Sequence, residues 1–209
     1  MQEYNKIDTV FERDTNGTKK LIPGRFRSKA VEYLANNQWV FTEKIDGINI
    51  RIHWDGHRVE FGGRTENAQI PATLVTYLNE TFGGNDNEEL FEQKFGENEV
   101  ILFGEGYGKG IQKGGLYRPD VSFILFDVMV ETTYLKRESI EDVAKTFNID
   151  VVPIIGTGTI EEAVNIVLSK PMSTIGTAPM EGIVARPVVE MKDQMGHRII
   201  TKIKVCDFN

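Results

Sequence analysis

One lysine, Lys44, lies where the sequence changes from an apolar run to a turn. The run 39–41 precedes it and Asp46-Gly47 follows, so the lysine occupies a predicted strand–turn–strand junction. A protonated lysine is a poor nucleophile, but partial burial or a cationic neighbour lowers the pKa of the amine and lets it attack an electrophile. The spacing therefore indicates either a covalent nucleophile or an ordinary surface lysine beside a hairpin turn.

Two further lysines stand close together near the end of the chain. Lys202 and Lys204 occupy alternate positions of a strand-like segment that also contains Ile203 and Val205. Because the side-chain period of a strand is two residues, both lysines point to one face and both apolar side chains to the other. Two unpaired ammonium groups on one face are costly, and a bound phosphate would compensate their charge. Further candidates in or beside predicted strands are Glu105, Phe126, Asp127 and Glu181.

The glycine-rich stretches do not match the common nucleotide-binding loops. A phosphate-binding loop requires G-x-x-x-x-G-K-[ST], but Gly110 follows Lys109, and Phe103 stands where the first glycine should be. A dinucleotide fingerprint that starts at Gly156 fails because Glu161 replaces its third glycine. His53 and His57 are four residues apart, but they flank a predicted hairpin turn and do not lie on a helix, so neither they nor the distant His197 indicate a helical zinc site. The distributed lysines and acids remain as the candidate site.

The composition is that of an ordinary globular protein. The chain has 209 residues, 40% hydrophobic and 26% charged, and no window approaches about 18 consecutive apolar residues, so no membrane span is expected. No secretory signal is visible and the lone Cys206 cannot form an internal disulfide, which predicts a cytoplasmic protein. The net charge of −7 argues against a chain coated in nucleic acid, although local basic clusters suit either a phosphate-bearing ligand or a solvated surface.

Hydrophobic periodicity and turn signals predict a mixture of strands and helices. Ser28 can cap a helix, and capping-box patterns occur at Ser139 with Asp142 and at Thr159 with Glu162. Strands are predicted at about 39–44, 48–54, 57–62, 99–104, 121–130, 182–189 and 198–205, helices at about 29–36, 71–81, 87–95, 140–147 and 160–169, and a glycine-rich loop at 105–110. Together these elements predict one α+β domain over residues 1–209 with mainly antiparallel sheets.

Five short motifs occur in an order that a known superfamily shares. They are KIDG at 44–47, FGEGYG at 103–108, FILFD at 123–127, EGIVAR at 181–186 and TKIK at 201–204. These segments resemble motifs I, III, IIIa, IV and V of the covalent nucleotidyltransferases, which comprise polynucleotide ligases and mRNA capping enzymes. The resemblance implies a single ATP-grasp-like nucleotidyltransferase (adenylation) domain, in which mainly antiparallel sheets with flanking helices form a nucleotide-binding groove.

Two positions favour the nick-sealing RNA ligases within this superfamily. DNA ligases and capping enzymes usually have arginine five residues after the nucleophile, whereas this chain has Asn49, as those RNA ligases do. The RNA ligases also use an arginine about twenty residues after the lysine, where this chain has Arg64. Asp46 is nearer to the DNA ligase form of motif I, which keeps a DNA ligase adenylation domain as an alternative. A capping guanylyltransferase and a nucleotide- or RNA-binding module without turnover are further alternatives.

The sequence after the last motif predicts no additional domain. Only five residues follow Lys204, which is too few for the OB-fold domain of DNA ligases and capping enzymes or the small helical domain of the nick-sealing RNA ligases. We therefore expect that neither a C-terminal OB-fold nor a helical domain is present in this sequence, which is either that of a minimal enzyme or that of a shortened chain. The lack of such a domain would affect complete end-joining more than self-nucleotidylation.

The resemblance implies three nucleotidyl transfers that use ATP and Mg²⁺ or Mn²⁺. Lys44 would attack the α-phosphorus of ATP to give lysyl-AMP, AMP would pass to a 5′-phosphate end of a nucleic acid, and a 3′-hydroxyl would displace AMP. Lys202 and Lys204 would ease the deprotonation of Lys44 and bind the α-phosphate. Glu181 would hold the metal, and Glu105 would bind a ribose hydroxyl and contribute to the metal site.

The remaining implied roles concern the base, the phosphates and the polynucleotide. Phe126 would stack on adenine, with Phe123 as the competing candidate on the same predicted strand. The other residues expected to contact the nucleotide are Glu43, Ile45, Asn49 and Arg64. Three basic residues would either follow the nucleic-acid backbone or belong to a solvated loop, namely Lys109, Lys113 and Arg118.

Overall fold

Residues 1–208 are described in the computed structural model, and they form two compact units. The first unit combines Met1–Tyr4 with Asp46–Val152, and the second combines Asn5–Ile45 with residues 153–208. In chain order the elements are β1 (Phe11–Arg13), β2 (Leu21–Phe26), α1 (Lys29–Leu34), β3 (Trp39–Lys44), β4 (Ile48–Trp54), β5 (Val59–Gly62), α2 (Ala72–Phe82), α3 (Asn85–Phe95), β6 (Val100–Gly108), β7 (Val121–Val130), β8 (Thr133–Tyr134), α4 (Arg137–Thr146), β9 (Asp150–Val151), β10 (Ile154–Gly158), α5 (Ile160–Leu168), β11 (Gly182–Pro187) and β12 (Thr201–Lys204).

The second unit is built on a four-stranded antiparallel sheet in the order β10-β3-β11-β12. Along β3, Trp39, Phe41 and Glu43 are buried while Thr42 and Lys44 are partly exposed. The apolar faces of α1 and α5 and the hairpin β1–β2 complete the core on the buried side. The period-two alternation therefore gives this sheet one core face and one partly exposed face, and Lys44 belongs to the latter.

The first unit is built on a six-stranded sheet. Its order is β5-β4-β6-β7-β8, with β9 added in parallel beside β7, and the pairings along the main path are antiparallel. Helices α2, α3 and α4 bury their apolar side chains in the main core with residues such as Ile50, Leu102 and Phe123. A smaller apolar cluster, which includes Tyr4 and Phe103, lies apart from that core. The sheet therefore carries two separate apolar clusters, a large one that includes the helices and a small one.

Several features predicted from the sequence are confirmed. Strands β3, β4 and β7 have the predicted limits. The Ser28 side chain accepts a hydrogen bond from the Val31 N–H at the start of α1, and α5 begins with the predicted capping box of Thr159 and Glu162. The α+β class with mainly antiparallel sheets is confirmed as well. Within the described residues, no helix is both long and apolar enough to cross a membrane.

The predicted end of β6 is wrong. The strand does not stop at Gly104 but continues to Gly108, so Glu105 lies inside a strand and not in a glycine-rich loop. The reason is that Glu105 pairs with Asn49 of β4 on one side and with Ile124 of β7 on the other. Two neighbouring ladders thus hold a glycine-rich segment extended although its local propensity favours a loop.

The predicted start of α4 is also wrong. The helix begins at Arg137, two residues before Ser139, and Ser139 therefore lies within it and does not cap it. The Arg137 guanidinium donates to the Val152 carbonyl at 2.8 Å and pairs with Glu141 one turn later at 2.6 Å. These contacts stabilise the first turn, and the carbonyl contact in particular could not be read from local sequence signals.

Candidate active site

Lys44 and Lys204 lie on one face of the four-stranded sheet, on either side of Gly182. Gly182 of β11 is directly opposite Lys44 of β3 and also directly opposite Lys204 of β12. Directly opposed residues of neighbouring strands project to the same face. A Cβ atom on Gly182 would lie only 2.1 Å from the carbonyl oxygen of Ile203. Glycine is therefore the residue that lets β12, which carries Lys204, pair with β11 at this point.

One carboxylate, that of Glu181, binds both lysines. Its Oε2 lies 2.7 Å from Lys44 Nζ and its Oε1 lies 2.8 Å from Lys204 Nζ. The side chains of Lys44, Lys204 and Glu181 are 24%, 28% and 16% exposed, so the cluster is partly shielded but open to solvent. Partial burial opposes the charged form of Lys204, yet the hydrogen bond that its ammonium donates to Glu181 raises the pKa of Lys204 above its ordinary value.

Lys202 belongs to the same face. It is opposite Val184, two residues before Lys204 on β12, and is partly exposed. Its backbone N–H donates to the Asp8 carbonyl at 3.0 Å, and its own carbonyl accepts from the Val10 N–H at 3.1 Å. The structure thus brings the three lysines predicted from the sequence onto one face of one sheet, together with Glu181.

Glu43 and Ile45, the neighbours of Lys44 in the sequence, have buried side chains. Each is only 1% exposed. Glu43 accepts hydrogen bonds from the hydroxyls of Ser173 and Thr174 and, at 2.9 Å, from the Thr174 N–H. Its carboxylate therefore lies on the core face of β3, opposite to the face of Lys44. A nucleotide contact from either Glu43 or Ile45 would have to come from the backbone.

In the first unit, Asn49 and Glu105 form a directly opposed pair across β4 and β6. They share the face of the sheet that does not carry the helices, because the neighbouring Ile50 and Gly104 point to the helical core. The Asn49 Oδ1 atom is buried and has no hydrogen-bond partner within residues 1–208. An unsatisfied buried acceptor costs about 1–3 kcal/mol, so this amide is suited to accept a hydrogen bond from a ligand.

Phe126 and Phe123, the two candidates for stacking on a base, differ in exposure. Phe123 is completely buried in the main core, where it packs edge-on against Phe82 at a centroid distance of 5.7 Å. Phe126 is partly exposed and contacts Tyr4 edge-on at 5.0 Å. A register shift of β6 beside Gly104 accommodates Phe126 as an extra residue in β7. Phe126 is therefore accessible to a ligand, whereas Phe123 is not.

The basic residues that were expected to bind phosphates are placed differently from one another. Arg64 is exposed in the segment after β5, and Lys109 and Lys113 are exposed in the segment after β6. Arg118 instead makes two hydrogen bonds to the Asp120 carboxylate, at 2.9 and 2.8 Å. The charge of Arg118 is thus largely compensated, while the two exposed lysines keep an accessible positive charge.

Two residues that hold the motifs in place were missed by sequence reasoning. The buried Arg51 donates from Nε to the Gly63 carbonyl at 2.8 Å and from Nη1 to the Met1 carbonyl at 2.9 Å. The buried Tyr117 accepts a hydrogen bond at Oη from the Asp46 N–H at 3.3 Å. A sequence signal existed only for Arg51, since the alternation of β4 puts it on the face of Asn49.

Within residues 1–208, the carboxylates do not form a metal cage by themselves. No cluster of three or more histidine, cysteine, aspartate or glutamate side chains suited to a metal occurs in the described part of the chain. Of the two acids expected at the metal, Glu181 belongs to the second unit and Glu105 to the first. A divalent cation would need phosphate oxygens or water as further ligands, which is usual for Mg²⁺.

These features define a candidate lysine nucleophile at the end of β3, with an acid just before β11 and two lysines on β12, in the segments KIDG, EGIVAR and TKIK. The model of the RNA ligase family matches residues 37–204 of the chain. This match spans most of the sequence and includes every strand that carries the lysine cluster. The chain belongs to the RNA ligase family. No curated protein matches it at a significant level.

Solved structures show the same fold. Naegleria gruberi RNA ligase variants, one without ligand and one with ATP and manganese, are similar with a TM-score of 0.68 and 17% identity over 98% of this chain. Naegleria gruberi RNA ligase with pyrophosphate gives a TM-score of 0.67 and 17% identity over 98% of this chain. This chain covers 55%, 56% and 56% of those three chains, about half of their length.

Proposed function

We propose that the protein is an ATP-dependent RNA ligase that works through a covalent lysyl-AMP intermediate on Lys44. The observation that carries the proposal is the sharing of the Glu181 carboxylate by Lys44 and Lys204 across Gly182. Membership of the RNA ligase family supports it, as do the ATP, AMP and pyrophosphate complexes of Naegleria gruberi RNA ligase. AMP would then pass to a 5′-phosphate end, and attack by a 3′-hydroxyl would release it and join the ends.

The first step requires a neutral amine at Lys44. In the resting arrangement this amine is within 2.7 Å of Glu181, which is the nearest base for its proton. Lys204 stays protonated because its hydrogen bond to Glu181 raises its pKa, and Lys202 adds charge on the same face. These two cations would bind the α-phosphate while Lys44 Nζ forms the P–N bond, the α–β P–O bond breaks and pyrophosphate leaves.

We infer the roles of the remaining residues toward a divalent cation and a nucleotide from the family resemblance. Glu181 would supply one carboxylate to Mg²⁺ or Mn²⁺, and the cation would neutralise charge that develops on the phosphates. Glu105 would accept a ribose hydroxyl hydrogen bond or add a second carboxylate. Phe126 would stack on adenine, and the unsatisfied Asn49 amide oxygen would accept a hydrogen bond from the nucleotide. Arg64 would contact phosphate, and Lys109 and Lys113 would contact the polynucleotide backbone.

The substrate is proposed to be RNA with 5′-phosphate and 3′-hydroxyl ends. The DNA ligase alternative rests on Asp46, while the RNA ligase family match and Asn49 favour RNA. The cytoplasmic location and the single nucleotidyltransferase domain over residues 1–209 stay predictions.

The proposal is tested by incubating the protein with ATP and Mg²⁺ and measuring its mass. We expect an increase of one AMP, which added pyrophosphate reverses, and label transfer from α-labelled but not from γ-labelled ATP. GTP should transfer no label, which separates the protein from a capping guanylyltransferase. An unchanged mass under all metal conditions would contradict the proposal. Nicked RNA and nicked DNA, offered side by side, then decide the substrate of the later steps.

Replacement of the shared carboxylate should slow the first step. In Glu181→Gln the amide can accept from only one lysine and carries no charge, so the labelling rate should fall about 10- to 100-fold, the value of one or two hydrogen bonds to charged groups. The measurement is the first-order rate of AMP transfer at saturating ATP. Glu190→Gln is the control, because the 41% exposed Glu190 side chain pairs with Arg198 and not with the lysine cluster, so the rate should be unchanged. Equal rates for the two variants would contradict a role for Glu181.

Substitution of Phe126 should weaken ATP binding, whereas substitution of Phe123 should destabilise the fold. Phe126→Ala removes the accessible ring, and because base stacking contributes about 1–3 kcal/mol, the ATP concentration for half-maximal labelling should rise about tenfold. Phe123→Ala leaves a cavity in the main core and should lower the free energy of unfolding by about 3–5 kcal/mol. The measurements are an ATP titration of labelling and denaturant unfolding. A Phe126→Ala variant with wild-type ATP dependence would remove this residue from the nucleotide site.

A further inference from the structure

Glu43 is a buried carboxylate on the core face of β3, next to Lys44 in the chain. It is 1% exposed, and three donors from two consecutive residues bind it: both hydroxyls of Ser173 and Thr174 and the Thr174 N–H. Ser173 Oγ in turn accepts from the Ile175 N–H at 2.9 Å. A buried carboxylate is costly unless its oxygens are hydrogen-bonded, so these contacts have to be maintained for the folded state to be stable.

The segment bound by Glu43 leads directly into Glu181. Residues 171–180, here called the anchored segment, are closed by hydrogen bonds from Ser173 N–H to the Ala178 carbonyl at 2.8 Å and from Met180 N–H to the Pro171 carbonyl at 3.0 Å. These two hydrogen bonds join the beginning of the anchored segment to its end. A contact that fixes the position of the beginning therefore also restricts the position of the end. The residue that follows Met180 is Glu181, which binds Lys44.

Strand pairing alone does not fix Glu181. The pairing of β11 with β3 begins at Gly182, so Glu181 lies just outside the β11–β3 ladder. On the side of β12, the Glu181 carbonyl accepts from the Val205 N–H at 2.9 Å. On the side of β3, the contact of Glu43 with the anchored segment is the tether that the structure provides. Glu43 therefore binds the anchored segment near its beginning, and Lys44 binds Glu181, the residue that follows its end.

We propose that Glu43 is a positioning residue, which holds the anchored segment against β3 and so sets the Glu181 carboxylate on the Lys44 amine. This inference rests on the proposed function of Lys44. It assigns to Glu43 an effect on the rate of AMP transfer rather than a contact with the nucleotide. The negative charge is needed because all the donors point at the two carboxylate oxygens.

The test compares Glu43→Gln, Glu43→Asp and Thr174→Val with the wild-type protein. In Glu43→Gln an NH₂ group faces donors, and in Thr174→Val one hydroxyl donor is lost while the N–H remains. Both should lower the maximal rate of AMP transfer about 10- to 100-fold, because a misplacement of about 1 Å has effects of that order. The ATP concentration for half-maximal rate should change less than about twofold, and Glu43→Asp should recover part of the rate.

Amide hydrogen exchange supplies a second readout that does not depend on catalysis. Exchange should accelerate over residues 173–181 in Glu43→Gln and Thr174→Val. Thr146→Val is the matched control, since its hydroxyl donates to the exposed Asp142 carbonyl of α4 and should affect neither measurement. Thr174→Val keeps the inference testable if Glu43→Gln does not fold.

The outcomes separate the inference from the proposed function. If the wild-type protein takes up no AMP, the proposed function fails. If amide hydrogen exchange over residues 173–181 is also unchanged in the variants, the contact of Glu43 does not hold the anchored segment and the inference is overturned as well. If the wild-type protein is labelled and both variants keep its maximal rate, the inference is overturned. It is equally overturned if Glu43→Gln raises the half-maximal ATP concentration with an unchanged maximal rate, because that result indicates a nucleotide contact.

Discussion

Lys44→Arg should take up no label from α-labelled ATP. Arginine stays protonated in proteins, so it keeps the positive charge beside Glu181 but cannot offer a free electron pair to phosphorus. The lysine side chain is 24% exposed, which leaves room for the longer guanidinium. We expect a labelling rate at least about 10³-fold below that of the wild-type protein, with little change in the free energy of unfolding.

A matched lysine outside the cluster provides the control for this result. Lys113 is exposed in the segment after β6, and Lys113→Arg should leave the first step unchanged. Denaturant unfolding of both variants would show whether the fold is intact. Retained labelling in a folded Lys44→Arg protein would remove the mechanism proposed above, because a different residue would then carry AMP.

Gly182→Ala should reduce both stability and labelling, although it adds only one methyl group. The new Cβ would lie 2.1 Å from the Ile203 carbonyl oxygen and 2.8 Å from Lys204 Cα, and both are backbone atoms of the neighbouring strand. They can move only if the pairing of β11 with β12 is disturbed. We expect a loss of about 2–3 kcal/mol in the free energy of unfolding, and a labelling rate at least about 10²-fold lower, since Lys204 would shift relative to Lys44.

A second glycine of the same sheet is the control. A Cβ on Gly156 of β10 would meet only the Phe41 ring, at 3.7 Å, which is an ordinary contact distance. Gly156→Ala should therefore change the free energy of unfolding by less than about 1 kcal/mol and leave labelling intact. If Gly182→Ala is as stable and as active as Gly156→Ala, the spacing of the strands around Gly182 is not critical.

The sequence correctly predicted those elements in which burial of one face imposes a hydrophobic periodicity on the residues. The limits of β3, β4 and β7 followed from such patterns. The glycines at the end of β6 were interpreted as a loop, but Gly104 and Gly106 are required because the Phe123 ring and the Leu74 side chain occupy the space beside them. That requirement depends on residues about 20 to 30 positions away, so no local pattern contains it.

The same distinction applies to the candidate site. Strand alternation predicted that Lys202 and Lys204 share a face, and the family resemblance decided for Lys44 as the nucleophile and gave Glu181 a role. The role of the Glu43 side chain was not predictable, because its partners Ser173 and Thr174 follow it by 130 and 131 positions. Arg51 and Tyr117 were missed for the same reason, since each acts on a backbone group of a distant segment.

The segment 8–10 has one more consequence, through its pairing with Lys202. Strand β12 ends the ladder of the four-stranded sheet, and an uncovered outer strand is a template on which a second polypeptide can add by β-augmentation. The hydrogen bonds that Asp8 and Val10 make to Lys202 occupy that rim. The outer edge of β12 at Lys202 is thereby already hydrogen-bonded within the chain, which leaves less of this lysine-bearing strand open to a second polypeptide.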